Sequence, residues 1–166
     1  SLLCLSAFAC SSQLRTSPEL TSLPNVSFHG SSRVASGKLE PADIPKIAAA
    51  GIVEVIDLRV DSETPDFDEA YAVRAAGMRY RNLPIRGAQD LTTENVMAFD
   101  ALLESAGNSP TLIHCASSNR VGALIALRAA TLQGMSSDAA LEVGKTWGLS
   151  TLEPAVRERL ASEAQR

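Results

Sequence analysis

The sequence predicts a single α/β domain whose mainly parallel sheet of four to five strands is flanked by helices, and three observations carry that expectation. Short apolar runs rich in β-branched residues alternate along the chain with longer stretches of helical period. Gly51, Gly77 and Gly134 stand where such stretches stop. At 166 residues the chain is long enough for one core and too short for two comfortable domains.

The elements follow in order. The opening run Ser1–Cys10 is apolar, small and uncharged, and reads as the remnant of an export signal. Ala7-Phe8-Ala9 offers a cleavage site before Cys10, with acylation of Cys10 as a lipid anchor the alternative and an ordinary cytosolic N-terminus the third reading. The expected destination is the periplasm. Ser11 to Leu23, rich in Ser and Thr, reads as a linker, so residues 1–24 are set apart from a catalytic domain over 25–166. A short strand is predicted near Val34-Ala35, a helix from about Pro41 to Ala50, and a strand through Ile52–Ile56 that ends at Asp57-Leu58-Arg59. A helix over Asp66–Ala76, a strand over Met78–Ile85 and a loop over Arg86–Leu91 come next. Thr92 or Thr93 caps a helix that places Val96, Phe99, Leu102 and Leu103 on one face. Thr111–His114 is a short buried strand, an apolar helix runs from Asn119 to Leu132, and two further helices lie near Ser137–Trp147 and Glu153–Ala164.

Charge narrows the function. A net charge of -4 and no Lys/Arg run argue against a nucleic-acid partner, which requires a basic stripe along the phosphates. Any anion has to be captured by a local pocket. With Cys4 and Cys10 in the presumed signal, the body holds one thiol, Cys115, and its surroundings decide its role.

Those surroundings are Leu112-Ile113-His114-Cys115-Ala116-Ser117-Ser118-Asn119-Arg120-Val121-Gly122. A buried strand ends at Cys115 and a helix starts before Arg120. At such a junction the amides of Ala116, Ser117, Ser118 and Asn119 can converge on an oxyanion, and the helix dipole favours a thiolate. Arg120 adds a planar fork for two anion oxygens, which Lys cannot supply. A cation at a helix N-terminus opposes the dipole unless an anion sits there, which favours the anion site over a core cysteine beside a surface charge. Asp90 is a general-acid candidate or a turn residue, and His114 tunes the thiolate or ends the strand as a structural residue. Arg59 and Arg86 line the pocket mouth or are solvated, and Trp147 is expected in the core.

The His114-Cys115 run, its short polar loop and Arg120 resemble the signature loop of protein tyrosine and dual-specificity phosphatases. The wider pattern is similar to their beta-lactamase-hydrolase-like branch, through Arg33–Gly37, Ile56–Arg59, Asn82–Ile85 with the loop into Leu91-Thr92, and Val121–Leu124. The resemblance implies a dual-specificity-phosphatase-like fold and attack on phosphorus by Cys115. It further implies phosphoryl oxygens held by Arg120, leaving-group protonation by Asp90, no metal or cofactor, and a phosphorylated small molecule or protein as substrate. Two departures stand out. Four residues separate Cys115 from Arg120 where these phosphatases have five, and Val121 stands where they have Ser or Thr. Four is also the spacing of rhodanese sulfurtransferases, which carry a persulfide on cysteine, although the Gly-His-Ile segment of that fold does not follow Asp57-Leu58-Arg59. The rivals are therefore a Cys115 persulfide carrier and an anion-binding pseudoenzyme.

Overall fold

The computed structural model describes Leu14 and residues 17–163. The presumed signal and its Cys4 and Cys10 lie outside the described residues. Five strands form one sheet: β1 (Ser27–His29), β2 (Arg33–Ser36), β3 (Glu54–Asp57), β4 (Arg79–Asn82) and β5 (Thr111–His114). Their order is β1-β2-β5-β3-β4, and only the β1–β2 pair is antiparallel. Among the described residues seven α-helices flank the sheet. On the chain they are α1 (Pro18–Thr21), α2 (Ile44–Ala49), α3 (Glu69–Ala75), α4 (Thr93–Ala106), α5 (Asn119–Thr131), α6 (Ser137–Thr146) and α7 (Glu153–Glu163).

The two-residue period of a strand sorts the sheet into two cores. Val34, Leu112 and Val55 stand in one cross-strand row, and the next row is Ala35, Ile113 and Ile56. The first row packs with Ile44 and Ile47 of α2 and Val73 of α3, and the second with Phe99 of α4, Leu124 of α5, Leu141 of α6 and Val156 of α7. Each such side chain, fully buried, contributes about 1.5–3 kcal/mol, so a charge at Leu112 or Ile113 would break one layer. The edge strand β4 is charged instead: Arg79 and Arg81 reach the buried Glu54 carboxylate at 2.9 and 3.4 Å. Charged side chains of this kind discourage a foreign strand from pairing there.

The first core corrects the linker expectation. Leu14, Leu20 and Leu23 are buried against it, so the packed domain begins before residue 25. Three leucines spaced across a Ser/Thr-rich stretch give no helical stripe, but they cover the apolar surface left beside β2 and α2. The β1 hairpin strand was likewise not foreseen.

Helix α5 sits deepest. A Cβ at Gly122 would lie 2.2 Å from the Leu149 amide nitrogen and 2.5 Å from the Gly144 carbonyl oxygen, so only glycine lets α6 and the loop after it approach this closely. That contact presses residues 147–152 against the N-terminal end of α5. Among the described residues no helix is long and apolar enough to cross a membrane.

Candidate active site

The parallel strands β2, β5 and β3 end side by side, with Ser36, His114 and Asp57 in register. In open α/β sheets ligands bind beyond these carboxyl ends. Cys115 follows directly on β5 and is 1% exposed, at the floor of a loop that enters α5. The loop is shaped by its neighbours. Lys38 donates its amide to the Ala116 carbonyl at 3.0 Å, and Ser118 adopts a left-handed backbone at φ 66°. The Ser118 hydroxyl donates to the Trp147 carbonyl at 3.0 Å, and a Cβ at Gly148 would meet the Ser118 Cβ at 2.6 Å. Asn119 turns away from the loop centre, accepting from the Ser150 amide at 2.8 Å and donating to Thr151 Oγ1 at 2.7 Å. Of the four loop residues expected to bind the anion, Asn119 can therefore offer only its backbone, and Ser118 has its hydroxyl committed elsewhere.

Arg120 is oriented by a residue the sequence did not reveal. Glu63, in a single 3-10 turn (Asp61–Glu63) after β3, accepts from Arg120 Nη1 at 2.7 Å and from Nη2 at 2.6 Å. Nη1 also donates to the Ile85 carbonyl at 2.6 Å. The guanidinium end is thus fixed, and the Cys115 sulfur is among the groups that the side chain meets. Glu63 holds the Arg120 pKa above its ordinary value, against the effect of burial, and the Cys115 sulfur adds to the rise. Arg120 in turn pulls the Glu63 carboxyl below its usual range, with burial opposing and the Val60 amide assisting. Cys115 and Arg120 are therefore brought together.

Asp90 is placed differently. Its carboxylate accepts from the Arg86 amide at 2.7 Å and its carbonyl from Asn95 Nδ2 at 2.7 Å, closing the loop over 86–90. Among the described residues no hydrogen bond or ion pair joins it to Cys115 or Arg120, although Ile85, at the root of its loop, is bonded to Arg120. Arg86 is largely exposed, with its Nη1 3.8 Å from Asp90.

Beneath the loop lies a buried ionic network. His114 Nε2 is 2.7 Å from Glu69 Oε1 and 3.6 Å from Asp57 Oδ1. Arg59 binds Asp57 through Nε at 3.0 Å and Nη2 at 3.2 Å, and its Nη2 also meets Glu69. Tyr80 donates to Asp57 at 3.1 Å. Arg59 is 2% exposed, which corrects the expectation of a pocket-mouth or solvated charge. Burial acts most strongly to lower its pKa, but Asp57, Glu69 and Glu63 together raise it. Burial, then the Asp57 and Glu69 charges, push the Tyr80 phenol far up. The Asp57, Glu69 and His114 ligand atoms lie within 4.8 Å of one another, a spacing that would suit a cation. Arg59 already supplies that positive charge covalently, so a metal would have to displace it. Trp147 is half-buried, packing against the edge of the second core and stacking on His29 at 3.6 Å.

Comparisons with known proteins place the fold. A crystal structure from Shewanella putrefaciens, described as a candidate phosphatase, superposes with a TM-score of 0.69 at 23% identity over 89% of this chain and 95% of its own. A candidate phosphatase of Neisseria meningitidis gives 0.67 at 26% identity over 83% and 97%. TpbA of P. aeruginosa, solved in complex with pTyr, gives 0.64 at 19% identity over 82% of each chain and shares the fold. The beta-lactamase hydrolase-like protein of Agrobacterium fabrum is 33% identical over 112 residues, 64% of this chain, and this chain spans a quarter (25%) of its length. The family model of the beta-lactamase hydrolase-like protein, phosphatase-like domain, matches residues 26–132, from the start of β1 to the end of α5, and the chain belongs to that family.

Proposed function

We propose that this domain is a cysteine-dependent phosphatase of the dual-specificity type, hydrolysing phosphate esters through a phosphocysteine. The observation that carries the reading is the Arg120 guanidinium, fixed by Glu63 and Ile85 and held close enough to the Cys115 sulfur to interact with it. The Cys115 thiolate attacks phosphorus, the P–O bond to the leaving group breaks, and Asp90 delivers a proton to the departing oxygen. Arg120 and the loop amides take up the charge on the equatorial oxygens. Water then cleaves the S–P bond and releases phosphate. Val121 is buried and has no hydroxyl to assist that second step, so breakdown of the intermediate limits turnover. The phosphorylated partner is a small molecule or a protein.

Rapid mixing with p-nitrophenyl phosphate tests this: a burst of nitrophenol equal to the enzyme concentration, followed by a slower steady rate and absent from Cys115→Ser, is expected. No release above the Cys115→Ser background would overturn the reading. The four-residue loop favours one second reading, sulfur transfer on a Cys115 persulfide, which thiosulfate and cyanide would reveal.

A further inference from the structure

We propose that the hollow flanking the Cys115 loop is a polyol subsite, so that the ester processed here is the monophosphate of a sugar or cyclitol. The inference rests on the phosphatase reading and specifies its substrate. A cavity of about 480 Å³ opens against Ser117 and is bounded by Asn25, Ser27, Lys145 and Ser150. That volume lies within the range of small-molecule sites, roughly 300–1,000 Å³.

The side chains on it divide sharply from their neighbours. Ser118 and Asn119 spend their polar atoms on Trp147, Ser150 and Thr151. Ser117, next to them in the same loop, is exposed, and its hydroxyl bonds to nothing among the described residues. The same holds for the side-chain polar atoms of Asn25 and Ser150. Asn25 is brought to the loop by a left-handed backbone at φ 51°, and its Oδ1 would lie 3.1 Å from a Cβ at Gly37, a position also 3.0 Å from the Ala116 carbonyl. Two hydroxyls and an amide, each able to donate and accept, therefore line a hollow that begins at the nucleophile's own loop.

Charge selects among hydrogen-bonding ligands. Lys145 is the cation on this rim, and Glu142 at 2.8 Å and Glu153 at 3.6 Å already neutralise it. With its charge already paired, Lys145 offers a second phosphate or a carboxylate little net attraction, whereas neutral hydroxyls can accept from Lys145 and exchange bonds with Asn25, Ser117 and Ser150. Val26 and Leu149 supply apolar wall for the carbon face of a ring.

A matched pair of ligands tests the assignment: myo-inositol 1-phosphate and cyclohexyl phosphate share ring size and phosphate and differ in hydroxyls. Titration calorimetry on the full chain carrying Cys115→Ser, which binds without turnover, should give about tenfold tighter binding of the inositol ester, the size of one or two net hydrogen bonds. Asn25→Ala and Ser150→Ala should each narrow that ratio about threefold. Equal affinities, a ratio untouched by both substitutions, or binding of neither ligand would overturn the subsite. Failure of the phosphatase reading shows separately, as absent p-nitrophenyl phosphate turnover by the unsubstituted enzyme.

Discussion

Replacing Glu63 by Gln probes the clamp on Arg120 with the smallest change of shape. The carboxylate accepts two bonds, at 2.7 and 2.6 Å, from Nη1 and Nη2. A Gln amide can accept one of them and turns its NH2 against a guanidinium donor. Hydrogen bonds to charged groups are worth about 1.5–3 kcal/mol. The Glu63 side chain is 29% exposed, so water replaces part of what is lost, and the net cost comes to about 2 kcal/mol. For a domain of this size that lowers Tm by about 4–8 °C. The Ile85 carbonyl and one Gln oxygen contact then orient the fork less firmly. If about 1.4 kcal/mol of the loss is felt in the transition state, kcat/KM on p-nitrophenyl phosphate falls about tenfold. Glu63→Asp should recover part of the activity. The pH dependence has a definite sign. Arg120 depresses the folded-state pKa of Glu63, so the pair's stabilisation is fully present above the unfolded carboxyl value of ~4.3 and disappears as pH falls through the lower folded value. The stability gap between the parent and Glu63→Gln should therefore be constant from neutrality down to about pH 5 and close in stronger acid. A Glu63→Gln enzyme with unchanged Tm and kcat/KM within twofold of the parent would refute the clamp.

Three further outcomes follow from named contacts. Arg120→Lys keeps charge but loses the planar fork, and kcat should fall about 100-fold or more with the circular dichroism spectrum retained; near-parental turnover would remove Arg120 from the oxyanion site. Asp90→Asn can still accept from the Arg86 amide, so the loop should hold while esters with poor leaving groups slow by about 100-fold or more and activated aryl esters much less. Equal losses on both would leave Asp90 only its loop-closing bond. Gly122→Ala forces a methyl to 2.2 Å from the Leu149 nitrogen and should cost about 1–3 kcal/mol or more in urea denaturation.

Much of the fold is legible in the sequence because its signals are local. Thr92 caps α4 by accepting from the Asn95 amide, Val96, Phe99 and Leu103 turn inward, and β5 occupies Thr111–His114 as its apolar run predicts. The predicted strand over Met78–Ile85 shortens to Arg79–Asn82: Leu83 still bonds Asp57 in register, but Ile85 slips by one residue to bond Leu58 beyond the end of β3. Cys115 and Arg120 are readable as a pair because one loop carries both. What holds them is not readable. Glu63 lies 57 residues from Arg120, and Glu69 lies 45 from His114. Both sit in an acidic stretch, Asp61–Glu69, where nothing in the spacing separates a buried partner from solvated neighbours. Arg59 looked like a strand-end charge for the same reason: its neutralising carboxylates, Asp57 and Glu69, converge only once β3 and α3 have packed.

Mass spectrometry of Cys115 tests the central claim most directly. The enzyme is quenched in acid during turnover of p-nitrophenyl phosphate and, in a parallel sample, after exposure to thiosulfate. A phosphoryl group on the Cys115 peptide in the first sample, lost on incubation at mildly acidic pH, stable in alkali and absent from Cys115→Ser, is the result the account predicts. Unmodified Cys115 in the first sample together with a persulfide in the second would contradict it and make the domain a sulfur carrier built on a phosphatase scaffold.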